Sequence, residues 1–266
     1  MSDSNSSKIY DNVGVGADNN RRPDPYIAER FAHHLGLEND GSFLDVACGA
    51  GNYTIALAAQ NGTWHGVDQS RIMLQSARVK SEHVSLYLSD VTALPFADSS
   101  FSGVLCSLAI HNFPDLAHAF TEAYRVLSKG NFVIFTATQE QMQGYWLNEF
   151  FPDLMKQSVG KMPATATVEE ALVKAGFRIS YIEPYDVRPD LQDFFLYSAK
   201  HRPERYLSED FRQGISNFAL WCDPEKIATG CARLWREIQS GRIVDIIKAY
   251  THSLGDYLFV VASKDS

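Results

Sequence analysis

A short apolar run, Ser42 to Ala47, leads straight into Cys48-Gly49-Ala50-Gly51-Asn52. From Asn52 onward Tyr53, Ile55, Ala56, Leu57 and Ala59 form an apolar stripe at helical spacing. A buried strand, a glycine turn and a helix in immediate succession constrain this chain more than any other stretch. Gly49 and Gly51 let the backbone bend tightly and come close to a ligand, and the following helix N-terminus presents unpaired N–H donors. Such a crossover belongs to an α/β sheet whose ligands lie beyond the carboxyl ends of the strands. A dinucleotide fingerprint would place a third glycine where this chain has Thr54. Asp45 adds a second constraint, because a carboxylate inside the strand repels a phosphate and holds an ammonium group.

Composition narrows the field without naming a reaction. At 266 residues the chain has room for one large domain or for a domain with a sizeable insertion. Apolar residues at 45% and aromatics at 12% can build a full core. The net charge of −8, with no run of Lys and Arg, argues against a nucleic-acid duplex or an anionic membrane as partner. Cys48, Cys106, Cys222 and Cys231 show no Cys-x-x-Cys spacing, so neither a zinc site nor a disulfide framework is expected. His33 and His34 lie on an early helix and His201 far downstream, so no metal site is expected. Met1 to Lys8 is polar and serine-rich, and no apolar run reaches membrane-spanning length; the expectation is a cytoplasmic protein.

The remaining motifs follow in order. Arg21-Arg22-Pro23 precede a helix from about Asp24 to Leu35, which Gly36 closes. Thr63 to Asp68 reads as a second strand, and its terminal carboxylate is placed to accept hydrogen bonds from ribose hydroxyls. A third strand, Val84 to Leu88, runs into Ser89-Asp90-Val91. Leu94-Pro95-Phe96-Ala97-Asp98-Ser99-Ser100-Phe101 comes next, then a fourth strand, Ser102 to Ser107, and the loop Leu108 to Pro114 that carries His111. A helix over Leu116–Leu127, a turn at Ser128-Lys129-Gly130-Asn131 and a fifth strand, Phe132 to Ala137, continue the pattern. Thr167-Val168-Glu169-Glu170 has capping-box spacing before a helix that stops at Gly176. Phe177 to Tyr185 and Asp256 to Ala262 read as the sixth and seventh strands. Between them, helices are predicted over Leu191–Lys200, Ser208–Leu220, Pro224–Gln239 and Arg242–Ser253.

The phrase Asp45-Val46-Ala47-Cys48-Gly49-Ala50-Gly51-Asn52 resembles the first motif of the class I methyltransferases that use S-adenosylmethionine (SAM). In that family an acidic residue opens the glycine-rich loop, and the Leu94-Pro95-Phe96 phrase is similar to a second hallmark. SAM carries an ammonium and a sulfonium and no phosphate, which suits Asp45. From about Tyr10 to Tyr185 the chain is similar to the broad group that includes the ubiquinone and menaquinone C-methyltransferases and many small-molecule enzymes. The resemblance implies an α/β, Rossmann-like, mostly parallel sheet of seven strands, the last entering antiparallel between the fifth and sixth. It divides the chain into an N-terminal lid segment and helix (1–36), a SAM-binding core (37–185), a helical cap insertion (186–255) and a last core strand with the C-terminus (256–266). Tyr10, Arg21 and Arg22 are lid candidates.

The implied activity is methyl transfer from SAM to an apolar or aromatic small molecule by in-line displacement. Cofactor contacts are expected from Asp45, Ala47, Gly49, Gly51 and Asn52 at the first strand, and from Asp68, Gln69 and Met73 at the second. Asp90, Val91 and Ser107 follow, with Asp90 at the adenine amino group and Met73 against the ring. His111 is the catalytic candidate, since the strand order sets it where methyl and acceptor meet. His111, Asn112, Tyr145, Trp146, Phe195 and Tyr206 are the expected acceptor contacts. Two alternatives stay open: a SAM enzyme of another reaction type on the same fold, such as a cyclase or carboxymethyl transferase, and a non-catalytic SAM-binding protein. A dehydrogenase is disfavoured by Asp45 and Thr54.

Overall fold

Strand β1 (Ser42–Val46) is buried at every residue from Phe43 onward, as a strand covered on both faces must be. It pairs in parallel with β2 (Thr63–Asp68) on one side and β4 (Phe101–Ser107) on the other. The computed structural model describes residues 21–221 and 223–265. Tyr10 and the rest of the expected lid up to residue 20 lie outside the described residues, as do Cys222 and Ser266. With β3 (Ser85–Leu88), β5 (Leu127–Thr136), β6 (Arg178–Tyr185) and β7 (Tyr257–Lys264) the sheet has seven strands in the order β3-β2-β1-β4-β5-β7-β6. Strand β7 runs antiparallel to both β5 and β6, and the other neighbours are parallel. The edges are blunted: β3 is short, and β6 carries Pro184 and an irregularity between Ile179 and Tyr181.

Side chains of β5 alternate between two cores. Val133 and Phe135 enter one with Phe31, Tyr53, Tyr185 and Phe259, while Phe132 and Ile134 enter the other with Leu44, Val104, Phe120 and Leu172. The first core continues without a break into the segments 142–162 and 185–257, so sheet and cap share one apolar interior. Its centre is Phe135, whose ring lies 4.6 Å from that of Phe259 and 6.1 Å from that of Phe195.

Several local expectations are corrected. Ser128 to Asn131 is not a turn: the helix Leu116–Val126 passes directly into β5, which begins at Leu127. Gly130 adopts φ +140°, and a Cβ there would come within 2.3 Å of the Ser102 carbonyl oxygen, so the neighbouring strand requires glycine. Asn131 sits in the strand and donates through Nδ2 to the His34 carbonyl, 2.7 Å away. The capping box at Thr167 is absent, because the helix already starts at Thr165 and is held by buried Val168, Ala171 and Leu172. Residues 191–195 are irregular and 196–200 form turns. Leu191, Asp193 and Phe195 to Ala199 are all buried, which a helix with one solvent face would not allow. The stretch from Ser208 is broken at Gly214 and Ile215 into the helices Glu209–Gln213 and Ser216–Trp221. The last predicted helix is shorter, Ile243–Ala249, whereas Pro224–Gln239 forms as read. Among the described residues no helix is long and apolar enough to cross a membrane.

Asp24 joins two parts of this architecture. Its Oδ1 accepts from the backbone N–H groups of Tyr26 and Ile27, at 3.0 and 3.1 Å, and caps the helix Pro25–Leu35. Its Oδ2 accepts from the Gln192 N–H at 3.0 Å, tying that helix to the irregular stretch 191–195. Asp24→Ala is expected to lower unfolding free energy by about 1–3 kcal/mol, the scale of a lost cap and a buried hydrogen bond. Asp190→Ala, which removes only an exposed partner of Arg188, should leave stability nearly unchanged. Urea denaturation of the two variants checks the contrast.

Candidate active site

A cavity of about 300 Å³ opens beyond the carboxyl ends of β1 to β5. Asp45, Ala47, Gly49 and Asn52 reach its wall from the end of β1, and Asp68, Gln69 and Met73 from the end of β2. Asp90 and Val91 follow β3; Ser107, His111 and Asn112 follow β4. Phe195 closes the wall from the cap side, beside Phe194, Leu196 and Ile215.

Asp45 is the most constrained group. Its carboxylate is 3% exposed, and Thr54 Oγ1 donates to its Oδ2 at 2.5 Å. The residue that breaks the dinucleotide fingerprint thus holds the strand carboxylate. Asp45 Oδ1 is buried and has no hydrogen-bond partner. Burial pushes the Asp45 carboxyl up to about 7, against the Thr54 hydrogen bond and with Asp68 adding to the rise.

The turn beside it is held by Asp68. Its Oδ2 accepts from the Gly49 N–H and its Oδ1 from the Ser70 N–H, both at 2.8 Å. Burial raises the Asp68 carboxyl, and these backbone donors oppose the rise. A carboxylate has about four acceptor sites, so Asp68, with the Gln69 N–H as a third backbone donor, still has room for a further one. Ala47 and Leu108, which flank the cavity at the ends of β1 and β4, both adopt positive φ, at 59° and 52°. Such backbone costs on the order of 1–3 kcal/mol per residue and is held here by packing on both sides. Gly49 has φ +55°, and a Cβ on it would meet nothing within 4 Å, so the space it faces is open.

The structure does not bring every expected residue to the cavity. Gly51 caps the helix Asn52–Ala58, and its Cβ position lies 3.1 Å from Ala77 Cβ; its work is helix packing. Tyr145, Trp146 and Tyr206 are fully buried in the core and are absent from the wall. The Tyr145 ring stacks on Tyr197 at 3.9 Å and its hydroxyl donates to the Asp256 carbonyl. Trp146 Nε1 donates to the Lys200 carbonyl at 3.2 Å, and the Tyr206 hydroxyl to the Leu196 carbonyl at 2.7 Å. With every polar tip satisfied by backbone, these rings pack the core instead of a ligand.

Other wall residues escaped the sequence reading. Ser158 and Lys161 reach the cavity from one face of the helix Pro152–Lys161, and their only signal was a spacing of one turn. Arg21, read in the sequence as a lid candidate, also lines the wall while pairing with buried Asp193 through Nε and Nη2, and the Tyr53 hydroxyl donates to the same carboxylate at 3.1 Å. Burial works against the Arg21 charge, and Asp193 outweighs it and raises the guanidinium pKa. His111 is pushed down to about 4 by burial, with Lys161 adding to the fall, so the ring is neutral at pH 7. Asn112 Nδ2 lies 3.1 Å from His111 Nε2, which makes Nε2 an acceptor and leaves the ring proton on Nδ1.

Comparisons with known proteins agree with this geometry. Residues 44–135 match a family described as a methyltransferase domain. Demethylmenaquinone methyltransferase of Staphylococcus aureus (strain JH9) is 35% identical over 118 residues, covering 42% of this chain and 49% of that protein. The chain therefore spans about half the length of the curated relatives it matches. A solved structure from Anabaena variabilis ATCC 29413, described as a methyltransferase from an antibiotic biosynthesis pathway, superposes with a TM-score of 0.82 at 28% identity. That match covers 92% of this chain and 99% of the other. The chain is similar to the class I SAM-dependent methyltransferases in fold and in its residues 44–135. Geranyl diphosphate C-methyltransferase from Streptomyces coelicolor A3(2) shares the fold alone, with a TM-score of 0.58 at 15% identity over 90% of this chain and 76% of that one.

The residues present fit SAM. Asp45 Oδ1 is a buried acceptor in need of a donor, which an ammonium supplies. Gly49 leaves room for a ligand to approach the turn. No group of three or more His, Cys, Asp or Glu side chains is placed to hold a metal ion among the described residues. Since only the carboxylate form of Asp45 attracts an ammonium, affinity should rise with pH up to about 7 and then level off. Below that point S-adenosylhomocysteine (SAH) should bind roughly tenfold more weakly per pH unit. Titration calorimetry between pH 5.5 and 8.5 measures this, and Asp45→Asn should bind weakly with a flat profile.

Proposed function

We propose that this protein transfers the methyl group of SAM to an apolar small-molecule acceptor held beneath residues 186–255, which act as a helical cap. The observation that carries this reading is the continuity of one cavity from Asp45 at the end of β1 to Phe195 and Ile215 in the cap. SAM supplies a methyl group on a sulfonium, an electrophile that needs positioning more than activation. Asp45 takes the ammonium, and the Gly49 turn receives the amino-acid end. The remaining acceptor site of Asp68 takes a ribose hydroxyl. Asp90, whose Oδ1 already accepts from the Thr92 N–H at 2.8 Å, faces the adenine amino group with its other oxygen. Met73 covers the ring.

On the acceptor side, Met142, Met162, Phe194, Phe195 and Leu196 give an apolar wall that excludes water. The Staphylococcus aureus relative, named as a demethylmenaquinone methyltransferase, supports a small organic acceptor. His111 contacts that acceptor at the end of β4. Its Nε2 is taken by Asn112, so it orients the acceptor as a donor and does not remove a proton.

Calorimetry with SAM, SAH and NAD tests the cofactor half: SAM and SAH should saturate one site, and NAD should not compete. Asp68→Ala should weaken SAH by about 1–3 kcal/mol, because hydrogen-bond partners and the clasp on Gly49 are lost together. Methyl-labelled SAM, incubated with the protein and an organic extract of small molecules, tests the reaction. Label in an organic product with an equal amount of SAH is the expected outcome. SAH without a labelled product, or no turnover at all, would refute methyl transfer and leave cofactor binding standing.

A further inference from the structure

The charges on the cavity wall are segregated. Its carboxylates, Asp45, Asp68 and Asp90, all stand at the ends of β1 to β3, on the side assigned to the cofactor. The wall formed by the loop after β4, the helix Pro152–Lys161 and the cap contributes no acidic side chain among the described residues. The wall carries two Lys or Arg side chains among the described residues: Arg21, paired with Asp193, and Lys161, at the end of the helix Pro152–Lys161 on the side away from those carboxylates. One turn before Lys161 on the same helix, Ser158 is 2% exposed; its Oγ accepts from Asn217 Nδ2 at 2.8 Å, so its hydroxyl proton is available to donate. His111, proton on Nδ1, adds a second neutral donor, and Lys161 lies near enough to depress its basicity.

From this arrangement we infer that the acceptor carries an acidic oxygen and binds as its oxyanion, held by Lys161 with Ser158 and His111 as hydrogen-bond donors. The inference rests on the methyltransferase reading and specifies its substrate class: an apolar body ending in a carboxylate, an acidic enol or a phenolate. Lys161 is itself exposed, while Met162 and Ile215 on the same wall give the acceptor's body an apolar surface. The chemistry then balances without a protein base. The oxyanion, or a carbon conjugated to it, supplies the electron pair of the new bond to the methyl carbon, and the pair of the broken C–S bond stays on sulfur. An anion and a sulfonium become two uncharged centres. When the new bond is to carbon, the displaced ring or α proton leaves afterwards to solvent.

Three probes of similar size test the inference against SAH-loaded protein at pH 7.5: 2-naphthoate, 4-hydroxycoumarin as an acidic enol, and neutral 2-naphthalenemethanol. At least one anionic probe should bind tenfold or more tightly than the neutral one, and which of the two wins separates a carboxylate from an enolate acceptor. Lys161→Met should bring the ratio to within about twofold, Lys161→Arg should keep most of it, and both variants should bind SAH as wild type does. Equal binding of neutral and anionic probes, no binding of any probe, or an anion preference that survives Lys161→Met would overturn the assignment. Failure of the protein to bind SAH would count against the parent reading instead.

Discussion

A carboxylate buried inside a central strand, satisfied on one oxygen and unsatisfied on the other, is the constraint on which this structure turns. Asp45 could have been neutralised by a lysine or surrounded by backbone donors. Instead Thr54 gives it one hydrogen bond from the first turn of the next helix, and Oδ1 is left without a partner. An unpaired buried acceptor costs on the order of 1–3 kcal/mol, and the burial that leaves it unpaired also raises the proton affinity of this carboxyl. A ligand with an ammonium would remove that cost, which is why the cofactor's amino-acid end is proposed to sit at Asp45.

The surroundings keep that carboxylate in place. Asp68 clasps Gly49 and Ser70, which ties the turn after β1 to the end of β2. Positive φ at Ala47 and Leu108 turns the chain away from the sheet on both sides of the cavity. On the far side, Tyr145, Trp146, Tyr197 and Tyr206 build an aromatic interior with few loose polar atoms, which fixes the segments carrying Ser158, Lys161 and Phe195. The segments 142–162 and 185–257 are therefore anchored by the same core as the sheet.

The part of the cavity wall at the ends of β1 to β3 was legible in the sequence because its signals are local. A carboxylate three residues before a glycine turn, and another at the end of the next strand, need only the rule that ligands lie beyond the carboxyl ends of parallel strands. The sheet order, with its antiparallel seventh strand, came through the family resemblance. The acceptor half was harder to read because it depends on which way large side chains point. Tyr145, Trp146 and Tyr206 are aromatic and near the right strand ends, yet their hydroxyl and indole groups meet backbone carbonyls of the cap, and that pairing joins residues distant in sequence. The residues that do face the cavity there, Ser158 and Lys161, look like an ordinary solvated helix face. Residues 191–200 misled in the same way: their apolar spacing suits a helix, and the contacts of Asp193 with Arg21 and Tyr53 favour irregular chain and turns.

A crystal structure of the protein with SAH is the most direct measurement of the central claim, because it locates the amino-acid end of the ligand. The account requires the ligand's amino nitrogen within about 3 Å of Asp45 Oδ1, the distance of a charge-assisted hydrogen bond, with the Thr54 hydroxyl still on Oδ2. An amino group placed on Asp193, on Asp90 or in solvent, with Asp45 Oδ1 still unpartnered, would contradict it.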